Sequence, residues 1–62
     1  MTGNELRAWR KDLRLTQEKM ADKLGVSRRK YQYAEAAETS DVGRTMTLLV
    51  NGFKWDLERE TA

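Results

Sequence analysis

The run SRRKYQY, residues 27–33, carries the side chains best suited to chemistry in this sequence. Arginine and lysine supply positive charge and several N–H donors, and glutamine offers both a donor and an acceptor. A helix turns by about 100° per residue. In a helical run, one arc would therefore present Arg28, Arg29, Gln32 and Tyr33. These residue types favour non-covalent recognition of an anionic partner over the making and breaking of bonds.

The composition disfavours catalysis and metal binding. The 62 residues include no His and no Cys, so the commonest general base, the commonest metal ligand and any thiolate nucleophile are missing. No cluster of carboxylates converges in the pattern. We therefore expect no enzyme, no cofactor, no metal site and no small-molecule ligand. No apolar run approaches the roughly 20 residues of a membrane helix, and we expect a cytoplasmic protein.

Charge is distributed unevenly along the chain. Residues 1–33 contain nine Lys and Arg against four Asp and Glu, a net charge of +5. Residues 34–62 contain three against six, a net charge of −3. A basic half beside an acidic half suggests a face that meets a polyanion. The alternative is that the charges only keep a small helical domain in solution.

Capping signals and apolar spacing divide the chain into helices. Thr2 and Glu5 have the spacing of a capping box, and Thr16 and Ser27 are typical residues before a helix. Gly25 stands where a left-handed residue ends a helix at low cost. The periodicity predicts helices over residues 4–13, 17–24, 28–36 and 42–52.

Nothing in the sequence has the alternation of a strand, so the pattern predicts an all-α domain covering residues 1–62. The Asn51-Gly52 pair predicts the end of the fourth helix. For residues 54–62 the sequence allows either a fifth helical element or an extended arm. Trp55 and Leu57 in this tail are predicted to form a dimer contact. The predicted core comprises Leu6, Trp9, Leu13, Met20, Leu24, Val26, Met46, Leu49 and Phe53.

A resemblance to a known family rests on residues at fixed spacing. The shared positions are Gln17 at the start of the second helix, Ala21, Gly25, Val26, and the pair Arg10 and Glu35. From about Leu6 to Val50 the chain resembles the Cro/repressor (XRE-type) helix-turn-helix regulators of bacteriophages and bacteria. Within it, residues 17–36 correspond to the helix-turn-helix. The segments SRRKYQYAE and MTGNELRAWRK are also similar to the anti-CRISPR-associated (Aca) autorepressors.

The chain departs from this family at two positions of the third helix. Tyr31 stands where Ile or Val is usual, and Ala34 stands where a larger apolar residue is common. We expect the Tyr31 ring to fill the space beside Ala34, with its hydroxyl reaching solvent or a phosphate.

The resemblance implies a compact four-helix repressor domain that binds double-stranded operator DNA as a homodimer on an inverted repeat. It implies base contacts by Arg28, Arg29, Gln32 and Tyr33. It implies phosphate contacts by Gln17, Ser27, Lys30 and Arg14, and a structural pair of Arg10 with Glu35. A different class also fits the pattern, namely an antitoxin or phage-encoded inhibitor that acts through protein–protein contacts.

Overall fold

The computed structural model describes residues 1–61, which form four helices and no strand. The predicted all-α class is confirmed. None of the described helices is both long enough and apolar enough to cross a membrane. The helices are α1 (Gly3–Asp12), α2 (Gln17–Leu24), α3 (Arg28–Ala36) and α4 (Arg44–Thr61).

Side-chain caps define where the first three helices begin, as the sequence predicts. The Thr2 hydroxyl accepts from the Glu5 N–H at 3.2 Å, and the Glu5 carboxylate accepts from the Thr2 N–H at 3.1 Å. The hydroxyls of Thr16 and Ser27 cap α2 and α3 in the same way. Gly25 has φ of 75° and ends α2 in the left-handed region, where a side chain would be strained. The turn between α2 and α3 is therefore short and sharply defined.

The core lies where α3 packs against α1 and α2, and α4 packs against α2. Of the predicted core residues, Leu6, Met20, Leu24 and Met46 are buried, while the others are partly buried against them. The buried set also includes Ala21, Tyr31, Ala34 and Val50.

Gly3 permits a close approach between the start of α1 and the end of α3. A Cβ atom at Gly3 would lie 2.6 Å from the carbonyl oxygens of Ala34 and Glu35 and from the Glu38 nitrogen. Real Cβ atoms essentially never come so near backbone atoms. The crossing of α1 over α3, which brings Arg10 to Glu35, therefore depends on a residue without a side chain at this position.

The predicted end of the fourth helix at Asn51-Gly52 is wrong. Helix α4 continues through this pair to Thr61, and Gly52 does not adopt a positive φ. Apolar residues on the inner face explain the continuation, because Phe53 and Leu57 extend the stripe at helical spacing. The Phe53 ring also packs edge-on against Trp9 of α1, with 5.7 Å between ring centroids. Residues 54–61 are therefore the last part of α4, neither a separate fifth helix nor an extended arm, and position 62 of the predicted tail lies outside the described residues.

Candidate nucleic-acid interface

The outward face of α3 is cationic and open to solvent. Arg28, Arg29, Lys30 and Gln32 are exposed, and Tyr33 is 73% exposed. Within residues 1–61, no carboxylate forms an ion pair with any of the three cations. These cations occupy the first turn of α3, where like charges repel one another and the helix dipole disfavours positive charge. Helix stability does not account for this arrangement, whereas an anionic partner would.

The inward face of α3 holds Tyr31, Ala34 and Glu35, all buried. Tyr31 is completely inaccessible, so the expectation that its hydroxyl reaches solvent or a phosphate is wrong. The phenol ring fills the core. Within residues 1–61 its oxygen has no partner in hydrogen-bonding geometry, although Glu35 and Arg10 lie near enough to influence its ionisation. Burial raises the pKa of Tyr31 above its ordinary value.

The two residues predicted to form a structural pair lie in contact in the structure. Arg10 Nε lies 2.6 Å from Glu35 Oε2, and Arg10 Nη2 donates to Oε1 at 3.4 Å. Arg10 Nη1 also donates to the Leu15 carbonyl at 2.9 Å, so this one side chain joins α1, the turn before α2, and α3. Arg7 approaches the same carboxylate at 3.5 Å but is far more exposed.

Glu35 is ionised despite being only 1% exposed. Burial alone would raise the pKa of the Glu35 carboxyl, but hydrogen bonds from neighbours including Arg10 and Gln17 outweigh it and leave the pKa below its ordinary value. The same contact raises the pKa of Arg10. Arg10 is therefore positively charged and Glu35 negatively charged across the neutral pH range.

Gln17 connects this buried pair to the exposed face of α3. Its Nε2 donates to Glu35 Oε1 at 3.0 Å, and its Oε1 accepts from Gln32 Nε2 at 3.2 Å. The sequence suggests a phosphate contact for Gln17 and does not predict this connection. The only available signal is that Gln17 opens α2, whose N-terminus lies beside α3.

The residues predicted to contact phosphate lie at different distances from the residues predicted to contact bases. Gln17, Arg28 and Gln32 line one shallow depression between the starts of α2 and α3. The Ser27 oxygen accepts from the Lys30 N–H as the cap of α3. Arg14 lies apart in the turn before α2, with φ of 58° and an exposed side chain. The structure thus gathers most of the predicted set around the start of α3.

The structure separates the two residues predicted to form one dimer contact. Trp55 and Leu57 lie about 200° apart around α4. Leu57 is half-buried on the inner face, while Trp55 is 57% exposed with the Arg59 guanidinium 4.6 Å from its ring centroid. Leu48 lies two turns before Trp55 and is 61% exposed, so these two side chains share the outer face of α4.

Two helices joined by a tight turn, with a cationic outer face on the second, define the helix-turn-helix class of proteins, in which that helix enters the major groove of DNA. The chain belongs to the helix-turn-helix domain family, whose sequence model matches residues 3–60. This membership indicates a DNA-binding regulator, and the family is typically non-enzymatic. Comparisons with curated proteins and with solved structures gave no significant match.

Proposed function

We propose that this protein is a sequence-specific transcriptional repressor of the Cro/repressor type, acting in the cytoplasm of a bacterial or phage-infected cell. The observation that carries the proposal is the cationic face at the start of α3, which has no ion-pair partner among the described residues and is held in a helix-turn-helix by a buried ion pair. Repression follows from occupying an operator. The similarity of residues 27–35 to the anti-CRISPR-associated autorepressors supports an operator upstream of the protein's own gene.

Arg28 and Arg29 are the principal base readers in this proposal. Both extend from the first turn of α3, the part of a recognition helix that lies deepest in the major groove. A guanidinium can donate two hydrogen bonds to O6 and N7 of guanine. Tyr33, one turn further along, contacts a thymine methyl or a phosphate, while Lys30 and Arg14 contribute charge towards the backbone.

A second copy of the chain is the proposed partner on DNA. Leu48 and Trp55 supply exposed apolar surface on one face of α4. Gly52 lies between them, and the space where its Cβ would stand is open, so another helix can approach closely. A two-fold dimer would place two α3 helices about 34 Å apart, matching half-sites of an inverted repeat.

Selection from a library of randomised DNA duplexes tests the proposal. We expect the protein to enrich one sequence with two-fold symmetry at physiological salt. Variants Arg28→Ala and Arg29→Ala should alter or abolish that enrichment while keeping the wild-type melting temperature, since both side chains are exposed. Binding that is equal for all sequences and disappears with salt would contradict the proposal, and would favour an antitoxin or inhibitor that meets an acidic protein.

A further inference from the structure

The exposed surface of α1 is divided into a basic side and an acidic side. Arg7 and Lys11 are both exposed and lie about 40° apart around the helix. Glu5 and Asp12 are also exposed, but they lie about 140–160° away from Arg7. The side of α1 that carries Arg7 and Lys11 therefore holds no carboxylate of this helix. The two cations stand four residues apart, a spacing at which like charges repel each other.

Arg14 adds a third cation just beyond the end of α1, at a backbone position that disfavours arginine. Its φ of 58° lies in the left-handed region, where Gly or Asn is usual after a helix. The Arg14 N–H donates to the Lys11 carbonyl at 2.9 Å, which joins the turn to the last turn of α1. Among residues 1–61, no carboxylate forms an ion pair with Lys11 or Arg14. The turn thus keeps an exposed arginine despite the backbone strain, and a binding role for the side chain would explain this.

The basic side of α1 adjoins the start of α2 and, through it, the exposed face of α3. Arg7 Nε lies 3.5 Å from Glu35 Oε1, the oxygen to which Gln17 Nε2 donates. Gln17 also meets Gln32 on the exposed face of α3. Arg14 lies three residues before Gln17 in the chain. A DNA strand that leaves α3 across the start of α2 would therefore come next to α1.

We propose that Arg7, Lys11 and Arg14 form a second DNA contact, the α1 stripe, which binds phosphates flanking the base pairs that α3 reads. The inference rests on the proposed function, since it extends the same complex along the duplex. Duplex DNA carries one negative charge per about 1.7 Å of its axis, so separate cations can each meet a phosphate. Phosphates carry no sequence information. The α1 stripe should therefore add affinity for every flanking sequence alike.

Duplexes of two lengths test the α1 stripe. One contains the enriched sequence alone, and the other adds one helical turn, about 10 base pairs, on each side. Titrations at several salt concentrations compare the wild type with Arg7→Gln, Lys11→Gln and Arg14→Gly. The wild type should bind the longer duplex more tightly than the shorter one. Each variant should lose several-fold in affinity for the longer duplex, with a slope of log affinity against log salt smaller by about 0.9.

Two further readouts separate phosphate binding from base reading and from folding. The variants should enrich the same sequence as the wild type in the randomised duplex selection, because they remove no base contact. Arg14→Gly should also keep or raise the melting temperature, since glycine adopts a positive φ without strain. A weaker DNA complex formed by an equally stable protein would then come from the lost side chain alone.

Lys23→Gln is the matched control, since it removes one exposed cation from the last turn of α2, at the opposite end of that helix from Gln17. It should match the wild type in affinity and in salt slope. Wild-type values in all three stripe variants would overturn the inference, as would an equal loss in Lys23→Gln or a changed consensus sequence. A wild type that enriches no sequence would instead refute the proposed function itself.

Discussion

Removing Arg10 from the buried pair should destabilise the protein far more than removing Arg7. The substitution Arg10→Met keeps a linear side chain but deletes two hydrogen bonds to Glu35 and one to the Leu15 carbonyl. Glu35, 1% exposed in the wild type, would then keep only Gln17 and the more distant Arg7 as hydrogen-bond or ion-pair partners within residues 1–61. A buried charge without its main partner strongly lowers the free energy of unfolding.

The expected loss can be compared with the whole stability of the domain. Breaking one side of a buried ion pair costs about 3–5 kcal/mol. Because Gln17 still donates to Glu35 and Arg7 lies 3.5 Å away, we expect the lower end, about 3 kcal/mol. A 62-residue domain has a total unfolding free energy of roughly 3–9 kcal/mol. Arg10→Met should therefore leave the protein marginally folded or unfolded at 37 °C.

Urea denaturation followed by circular dichroism measures this loss. Arg7→Met is the matched control, since Arg7 is exposed and such pairs contribute at most about 1 kcal/mol. Replacing both partners, Arg10→Met with Glu35→Leu, should recover much of the stability because no buried charge remains. An Arg10→Met variant no less stable than Arg7→Met would refute the assignment of Arg10 as the main partner.

The buried pair of Arg10 and Glu35 also predicts that the free energy of unfolding depends on pH in the acidic range. The folded pKa of Glu35 lies below its ordinary value of 4.5. Its ionised form therefore contributes stability that is fully present above about pH 4.5 and is lost as pH falls through the folded pKa. The difference in unfolding free energy between wild type and Glu35→Gln should shrink below pH 4.5. A difference that stays constant from pH 7 to pH 3 would contradict the lowered pKa.

Three further predictions concern the two faces of α3 and the outer face of α4. Arg28→Ala and Arg29→Ala should each weaken specific DNA binding by about 1–3 kcal/mol in anisotropy titrations, and unchanged affinity in both would exclude them as base readers. Tyr31→Phe should leave the unfolding free energy unchanged or raise it by up to about 1 kcal/mol, since the hydroxyl lacks a hydrogen-bond partner in the described part of the chain. A clear loss of stability in urea denaturation would show that the hydroxyl is hydrogen-bonded. Trp55→Ala should shift the protein towards monomer in sedimentation velocity, whereas an unchanged dimer would place the contact elsewhere.

The helix boundaries follow from local chemistry, which is why the sequence predicts most of them. Thr2, Thr16 and Ser27 act on backbone N–H groups within three residues, and Gly25 acts on its own φ angle. Asn51-Gly52 carries an equally local stop signal, but the inner face of α4 continues beyond it. Packing against α1 overrides the local preference there, and packing is a property that one segment does not reveal.

The site was predictable to the extent that it depends on helical periodicity. The exposed arc of α3 follows from spacing alone. The burial of Glu35 does not, because Glu35 lies seven residues after the exposed Arg28, only about 20° away around the helix. The Gln17 bridge does not, because it requires the relative placement of α2 and α3 to within a hydrogen-bond length. The sequence does not predict the close approach at Gly3 for the same reason, since the neighbours of Gly3 are backbone atoms more than thirty residues away along the chain.

Sequence-specific binding by the outer face of α3 is tested most directly by one titration. Fluorescence anisotropy would compare the most enriched duplex with a scrambled duplex of equal composition at several salt concentrations. We predict a dissociation constant of order 10⁻⁸ M for the enriched duplex at physiological salt, and binding to the scrambled duplex weaker by about a thousandfold or more. Equal affinities for the two duplexes, falling together as salt rises, would contradict sequence reading by this protein.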